Sequence, residues 1–186
     1  MASIVVVSGC SGVGKSTVSR HLVGLLDSSV HIPADTFYLW FDDPWPDAAT
    51  AEGARRYDSV GAAVGAAANR LAMGGYTVIL DCPMFPDGVD ALSQICARQG
   101  VQVHYAVLRA ELPLCLARMK HRDGGVSWDL AELDAFHARF HHLTGVDANL
   151  IDASKEAESV AHNVLSAFRS GQLLRQPGPN SFAEGD

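Results

Sequence analysis

The stretch of sequence that decides the fold is Gly9-Cys10-Ser11-Gly12-Val13-Gly14-Lys15-Ser16. It matches the pattern G-x-x-x-x-G-K-[ST] at every position. The β-branched run at residues 4–7 precedes it and is typical of a strand buried on both faces. An amphipathic helical pattern follows, from residue 15 to residue 26. A buried strand, a glycine-rich loop and a helix in this order predict a loop that binds phosphate groups.

The residue types in this loop suit the polyphosphate of a nucleotide. Glycine lets the backbone bend so that consecutive N–H groups face an anion, and the following helix adds the positive end of its dipole. Lys15 is expected to reach the β- and γ-phosphates, and the Ser16 hydroxyl to ligate Mg²⁺. We therefore predict ATP and Mg²⁺ as cofactors. The predicted nucleotide-binding residues are Gly9, Ser11, Gly12, Val13, Gly14, Lys15, Ser16 and Thr17.

The composition is that of one globular domain. Of the 186 residues, 48% are hydrophobic and 19% are charged, a balance that excludes wholesale disorder. The formal net charge of -7 argues against binding of duplex nucleic acid, which needs a basic face. Apolar runs are too short for a membrane span, the first residues lack the basic start of a signal peptide, and the four cysteines form no C-x-x-C pair. We expect a reduced, cytoplasmic protein without a membrane partner, and an oligomer stays open.

Strand patterns alternate with helical patterns along the chain. The predicted strands lie at 4–7, 30–32, 77–80, 101–108 and 149–152, and the predicted helices at 15–26, 52–73, 86–99, 112–120, 130–142 and 155–169. Residues 37–50 are aromatic, acidic and proline-rich and are expected to be irregular. The alternation predicts an α/β three-layer domain over residues 1–170, with a mostly parallel five-stranded sheet. Residues 171–186 lack periodicity and are expected to form a flexible tail.

Two aspartates follow predicted strands, at the sheet edge that carries the phosphate loop. Asp35 comes just after the second strand, where its carboxylate can accept the proton of a hydroxyl that attacks a γ-phosphate. Asp81 ends the third strand, where P-loop proteins place an aspartate near Mg²⁺. We predict Asp35 as a general base and Asp81 as a metal ligand beside Ser16. A capping role stays open for each aspartate.

A pair of arginines lies at and just beyond the end of the helix predicted over 112–120. Arg118 and Arg122 are four residues apart, which places them on one helix face ahead of a glycine pair. Arginines that close over a transferring phosphoryl group neutralise its developing charge. We predict that both form a short lid and act in catalysis with Lys15 and Asp35. A solvated basic helix end is the alternative.

Other nucleophiles and ligands are given structural interpretations. His137 and His141 have a spacing that can hold a metal, but no carboxylate at matching spacing accompanies them, so a polar helix face is favoured. Cys10 is expected to be sensitive to oxidation rather than catalytic, because helix N-termini lower the pKa of a thiol. Cys82 is expected to be buried filler.

The loop with its following Thr17 resembles the small kinase group of P-loop proteins more than GTPases, which carry an Asn-Lys-x-Asp motif that is missing here. The order of motifs along residues 3–168 resembles the chloramphenicol 3-O-phosphotransferase family. The matching features are the phosphate loop, Asp35-Thr36-Phe37, Asp81, the strand end Val107-Leu108-Arg109, the Arg118/Arg122 lid and the segment 142–154. The resemblance implies an ATP- and Mg²⁺-dependent kinase that acts on a small-molecule hydroxyl, with Asp35 as base.

The acceptor is left open by this resemblance. Similar aspartates occur in polynucleotide 5′-kinases, zeta-toxin-like kinases and uridine kinases. The aromatic residues within 37–45 form either an acceptor wall or core packing, and the aspartates among them disfavour an anionic acceptor unless Arg55 and Arg56 face the cleft. The alternatives are a nucleoside or nucleotide kinase, a polynucleotide or nucleotide-sugar kinase of toxin type, and a non-enzymatic ATP-binding switch.

Overall fold

The computed structural model describes residues 2–42, 46–47, 50–120 and 129–176. The first strand, β1 (Ser3–Ser8), is buried along its whole length because apolar residues fill both of its faces. The other strands in this part of the chain are β2 (Ser29–Pro33), β3 (Thr77–Asp81), β4 (Gln102–Arg109) and β5 (Leu150–Asp152). The helices in the same residues are α1 (Lys15–Gly24), α2 (Asp35–Tyr38), α3 (Ala51–Met73), α4 (Pro86–Ala97), α5 (Leu112–Lys120), α6 (Leu130–His141) and α7 (Ala157–Arg169).

All five of these strands form one parallel sheet in the order β2-β3-β1-β4-β5. The prediction of an α/β fold is confirmed, and the sheet is wholly parallel within the described residues. β1 lies at the centre, with β3 on one side and β4 on the other. Chain connections leave β1 and β3 toward opposite sides of the sheet, so a crevice opens at the carboxyl ends of the central strands. This crevice is where the phosphate loop follows β1.

The long helix α3 shows how the sequence sets the packing. Its N-cap Thr50 accepts a hydrogen bond from the backbone N–H of Gly53 at 3.0 Å. Its buried residues include Val60, Val64, Ala68 and Ala72, a strict four-residue repeat that packs one narrow stripe on the sheet. None of the helices among the described residues has the length and apolar character that a membrane span requires.

Residues 35–38 form a single helical turn, where the sequence pattern predicts an irregular segment from residue 37. The backbone N–H of Phe37 donates to the carbonyl of Ala34 at 3.0 Å, and the Thr36 hydroxyl donates to the carbonyl of Pro33 at 2.7 Å. These local bonds close the turn directly after β2. Residues 43–45 and 48–49, which include Trp45, lie outside the described residues.

The packed chain extends beyond residue 170, the predicted end of the domain. Leu173 is fully buried, and its carbonyl accepts a hydrogen bond from the N–H of Tyr105 in β4 at 2.8 Å. Arg175 pairs with Asp90 of α4 at 2.6 Å. A segment this short has no periodicity to detect, because backbone hydrogen bonds and two side chains, Leu173 and Arg175, hold it in place. The rest of the predicted tail, residues 177–186, lies outside the described residues.

We predict that Leu173→Ala lowers the free energy of unfolding by about 2–4 kcal/mol, because it empties a buried site against β4. The measurement is urea denaturation followed by circular dichroism. Leu130→Ala is the matched control, since Leu130 is 71% exposed and its loss is expected to cost less than about 0.5 kcal/mol. Equal effects of the two substitutions would show that residues 171–176 do not stabilise the domain.

Candidate active site

The phosphate loop depends on glycines that no other residue can replace. Gly9, Gly12 and Gly14 have φ values of 138°, 76° and 108°, in the region that L side chains rarely adopt. A Cβ atom on Gly9 would lie 2.5 Å from the carbonyl oxygen of Leu108, and one on Gly12 would lie 2.4 Å from that of Cys115. The loop is therefore pressed against the end of β4 and against α5. Its backbone is held in the bent form that points N–H groups toward an anion.

Lys15 begins α1 directly after the loop. Its Nζ atom donates hydrogen bonds to the carbonyls of Gly9 and Cys10, each at 3.0 Å. Burial lowers the pKa of Lys15, and the negative charges of Asp81 and Asp35 oppose that shift. The ammonium group therefore lies inside the curve of the loop, within the electrostatic reach of both predicted carboxylates. Ser16 and Thr17 occupy the next two positions in the first turn of α1.

The two aspartates meet at one sheet edge, as predicted. Asp81 ends β3, is 6% exposed, and is in register with Val7 of β1 and Pro33 of β2. The backbone carbonyl of Asp81 accepts a hydrogen bond from Ala34 at 2.9 Å, which ties the start of α2 to the end of β3. Asp35 is exposed and is not the N-cap of α2, because Ala34 holds that position. The arrangement leaves the Asp35 carboxylate available for chemistry instead of capping.

Asp81 also has a neighbour that the sequence did not indicate. Nε2 of His31, in β2, lies 3.5 Å from Oδ2 of Asp81. A histidine on the neighbouring strand helps to orient this buried carboxylate beside the phosphate loop. The hydroxyl of Ser16 and the carboxylate of Asp81 are hard oxygen donors, which is the ligand type that Mg²⁺ prefers. The donor set at this edge therefore fits the predicted Mg²⁺.

Arg118 lies at the side of the loop, not over it. Its Nη1 atom donates to the carbonyls of Val13 and Ala153, both at 2.9 Å, and its Nη2 atom donates to the carbonyl of Lys155 at 3.4 Å. The guanidinium group thus joins the phosphate loop to the connection between β5 and α7. The predicted closure of Arg118 over the phosphates stays a prediction. Arg122, the second predicted lid arginine, lies outside the described residues.

Beside Arg118 a cleft of about 350 Å³ opens between the phosphate loop and the start of α7. Its lining includes Gly12, Thr17, Arg118, Lys155 and Val160. A cleft with apolar walls and one guanidinium plane, placed next to a phosphate loop, is suited to a nucleotide base. The sequence pattern did not assign Lys155 or the start of α7 to the site.

One local signal marks this wall of the cleft. Oδ1 of Asp152 accepts a hydrogen bond from the backbone N–H of Ser154 at 2.9 Å, which shapes the turn between β5 and α7. The hydrogen bonds from Ser154 lower the pKa of Asp152 below its ordinary value. The Asp-x-Ser spacing was visible in the sequence, but its position beside the loop comes from the pairing of β5 with β4.

The aromatic segment after Asp35 is only partly buried. The rings of Phe37 and Trp40 lie 4.4 Å apart, and Trp40 is 70% exposed. Tyr38 lies 5.8 Å from Tyr57 of α3, and the guanidinium of Arg56 lies 5.0 Å from the centre of the Phe41 ring. Phe37 and Tyr38 pack against the core while Trp40 faces solvent, so the segment serves both as packing and as an exposed aromatic surface.

Two thiols lie behind the phosphate loop. Sγ of Cys10 is 3.7 Å from Sγ of Cys115. The hydrogen bond from Cys10 lowers the pKa of Cys115 to about 7, whereas the same pairing and burial raise the pKa of Cys10. Desolvation raises the pKa of Cys82 to about 12 and leaves that thiol protonated, although the residue is only partly buried and not the fully buried filler that the sequence predicts.

These features define the class of protein, a P-loop kinase-like α/β domain with a phosphate loop, a cleft beside that loop and two aspartates that follow strands at one edge of the sheet. A profile of the family described as an AAA domain (AAA_33) matches residues 4–143, and the chain belongs to this family. Comparison with curated proteins gives no match.

Solved structures share the fold over nearly the whole chain. A gluconokinase from Sinorhizobium meliloti 1021 has a TM-score of 0.62 and 18% identity over 91% of this chain and 93% of its own. A sugar kinase from Janibacter sp. HTCC2649 has a TM-score of 0.64 and 21% identity over 90% and 94%. The tunicamycin resistance protein of Deinococcus radiodurans has a TM-score of 0.62 and 19% identity over 95% and 100%. Identities this low show a common fold and leave the acceptor open.

We predict that Gly12→Ala weakens ATP binding at least about tenfold, because the new Cβ meets a backbone carbonyl and the positive φ is strained. The measurement is isothermal titration with a non-hydrolysable ATP analogue. Gly24→Ala is the control, since no atom lies within 4 Å of its added Cβ. Unchanged affinity of the Gly12 variant would show that this loop does not hold the phosphates.

We predict that Arg118→Ala weakens ATP binding about tenfold or more, because the link between the loop and the base cleft loses its charged hydrogen bonds. Arg20→Ala, at an exposed position of α1, is the control. The same titration measures both. A variant that loses thermal stability but keeps its ATP affinity would limit Arg118 to a structural role.

Proposed function

We propose that this protein is an ATP- and Mg²⁺-dependent kinase that transfers the γ-phosphoryl group to a hydroxyl of a small molecule. The observation that carries the proposal is the meeting of Lys15, Asp81 and Asp35 at the carboxyl edge of the sheet, directly beside the phosphate loop. Asp35 does not cap α2, so its carboxylate is open to an acceptor hydroxyl. The names of the structural neighbours, a gluconokinase and a sugar kinase, support an acceptor that carries a hydroxyl.

The residues of the edge divide the reaction between them. Asp35 accepts the proton of the acceptor hydroxyl. The hydroxyl oxygen forms a bond to the γ-phosphorus, and the bond between the γ-phosphorus and the oxygen that bridges it to the β-phosphate breaks, which releases ADP. Lys15 stabilises the charge that develops on the transferred group and on the leaving diphosphate. Ser16 and Asp81 would hold Mg²⁺, which neutralises phosphate charge when it is bound. Arg118 orients the nucleotide through the loop and the base cleft, and we propose that Arg122 completes the lid.

A second cavity supports an acceptor with an apolar part. A groove of about 660 Å³ runs between α3 and α4, floored by small residues of α3 and by Leu92 and Ile95 of α4. Tyr57, at one end of this groove, packs against Tyr38, which lies in the same helical turn as Asp35. Met84 also lines the groove and is bonded through its carbonyl to the Ser8 hydroxyl at the end of β1. The groove therefore begins next to the helical turn that carries Asp35, the proposed general base.

This geometry favours a neutral, partly apolar acceptor, for which a chloramphenicol-like molecule is the finer proposal. The name of the tunicamycin resistance protein supports including other hydroxylated antibiotics in the same class. Free thiols at all four cysteines suit the reducing, cytoplasmic location that we also propose. Nucleosides, nucleotides and polynucleotide 5′-ends are the competing acceptors. A turnover assay with a panel of acceptors tests among these classes.

We predict that Asp35→Asn lowers kcat for the acceptor reaction by about 10²–10⁴-fold, because the amide cannot take the hydroxyl proton. ATP affinity should stay within about twofold of the wild type, since the residue does not belong to the phosphate loop. The measurement is acceptor-stimulated release of ADP against a panel of chloramphenicol, other hydroxylated antibiotics, sugars and nucleosides.

Asp27→Asn is the control, because Asp27 is an exposed aspartate in the turn before β2. Acceptor-stimulated turnover that survives in Asp35→Asn would overturn the assignment of the base. If no acceptor stimulates turnover and both variants bind and hydrolyse ATP alike, the ATP-binding switch replaces the kinase as the function.

A further inference from the structure

Two thiols and an imidazole meet behind the phosphate loop, and none of the three side chains is among those proposed for phosphotransfer. Ligand atoms of Cys10, Cys115 and His137 all lie within 4.8 Å of one another. They come from three separate elements, namely the loop, α5 and α6. A cluster assembled from distant segments is not a product of local sequence, and soft sulfur with imidazole nitrogen is a donor set that binds zinc.

The spacing of the sulfurs already fits a metal. Zinc holds thiolates at about 2.3 Å in a tetrahedron, which places two of them about 3.8 Å apart. The observed separation between Sγ of Cys10 and Sγ of Cys115 is 3.7 Å. The ring of His137 is fixed by a contact of 2.9 Å between its Nε2 atom and the carbonyl of Ala110. The ligand atoms are thus held near metal-binding distances by the fold itself.

The burial of the cluster favours a cation of this charge. Cys10 and Cys115 are 3% and 1% exposed, so a charge placed here must be neutralised locally. Two thiolates and a neutral imidazole balance a divalent cation, with no net charge left in the interior. A hard ion such as Mg²⁺ gains little from these ligands, because it prefers oxygen donors.

A fourth ligand is close at hand. The ring of His141 stacks on that of His137 with 5.7 Å between their centres. Its Nδ1 atom is buried and has no hydrogen-bond partner among the described residues. Cys10, His137 and His141 line the same small void beside the end of β4. An unpartnered imidazole nitrogen on a residue that shares this void with Cys10 and His137 is an independent sign that a ligand belongs in this place.

We propose that Cys10, Cys115 and His137 form a binding site for a thiophilic divalent cation, with Zn²⁺ as the best match. The fourth position is filled by water or, after a turn of its ring out of the stack with His137, by His141. The site is distinct from the oxygen-lined edge at Ser16 and Asp81. A cation held here joins the phosphate loop to α5 and α6. It stabilises the folded state, because the unfolded chain does not bring these ligands together.

The test is a titration of the full chain with Co²⁺, after reduction by a phosphine and removal of metal by a chelator. One equivalent is expected to produce thiolate-to-cobalt absorption in the near ultraviolet and the visible bands of tetrahedral cobalt. Zn²⁺ is expected to bleach both and to raise the thermal unfolding temperature. Cys115→Ser keeps the size of the side chain but removes one of the two thiolates. The near-ultraviolet absorption of the two-thiolate cobalt site should therefore be lost in this variant. His137→Gln should keep thiolate absorption but weaken Co²⁺ binding at least about tenfold.

Two control variants separate this site from others in the chain. Cys96→Ala removes a buried thiol elsewhere, and Cys82→Ala removes the thiol beside Asp81, where a metal could bind by accident. Both controls should match the wild type in absorption and in the stabilisation by Zn²⁺. Circular dichroism of each metal-free variant shows whether it is folded before titration.

Three outcomes would overturn the proposal. One is the absence of thiolate-to-cobalt absorption in the wild type. Another is a wild-type spectrum in the folded Cys115→Ser variant. The third is disulfide formation between Cys10 and Cys115 under hydrogen peroxide in a protein that binds no cobalt, which would make the pair a simple dithiol. None of these outcomes depends on kinase activity, so the proposed function can fail or hold separately.

Discussion

The contact between the phosphate loop and its supports is the constraint on which the rest of the site depends. Gly9 rests on the carbonyl of Leu108 and Gly12 on that of Cys115, with no room for a Cβ at either point. The loop is thereby clamped between β4 and α5, which fixes its N–H groups and sets the start of α1. Lys15 can then only extend into the curve of the loop, where Asp81 and Asp35 act on its charge. The packing of the two glycines thus fixes where the charge of Lys15 lies relative to the two aspartates.

Arg118 extends this rigidity to the nucleotide side. Its guanidinium donates hydrogen bonds to backbone carbonyls of the loop and of the β5–α7 connection, and it therefore holds the two walls of the cleft together. These hydrogen bonds couple the position of the phosphate loop to that of the β5–α7 connection. The proposed acceptor side differs, since a helical turn after β2 and a wide apolar groove between α3 and α4 form it. A rigid loop beside a roomier groove is compatible with a fold that solved structures of differently named kinases share.

Much of the fold is predictable, because the strands and helices follow from the local spacing of apolar residues. The buried strand at residues 4–7, the phosphate loop and the edge position of Asp81 all follow from patterns a few residues long. The role of Arg118 at the cleft was not predictable, because it depends on Ala153 and Lys155, which approach only when β5 pairs with β4. The docking of Leu173 has no pattern at all. The sequence favours a polar helix face for His137 and His141, because no carboxylate lies at a matching spacing. The fold brings two thiols to His137 from positions that are 22 or more residues away in the chain.

The central position of β1 also governs how the chain reaches its native state. Ser3 pairs with Thr77 on one side and with Gln102 on the other. The central strand β1 therefore pairs with β3 and β4, which lie more than 70 residues later in the chain. Closing such large loops costs entropy before any pairing repays it, which slows folding in parallel sheets. Until then the most apolar strand of the protein has both edges unpaired and is open to association with other chains. Late pairing of the central strand thus follows from the position of the phosphate loop directly after the first strand.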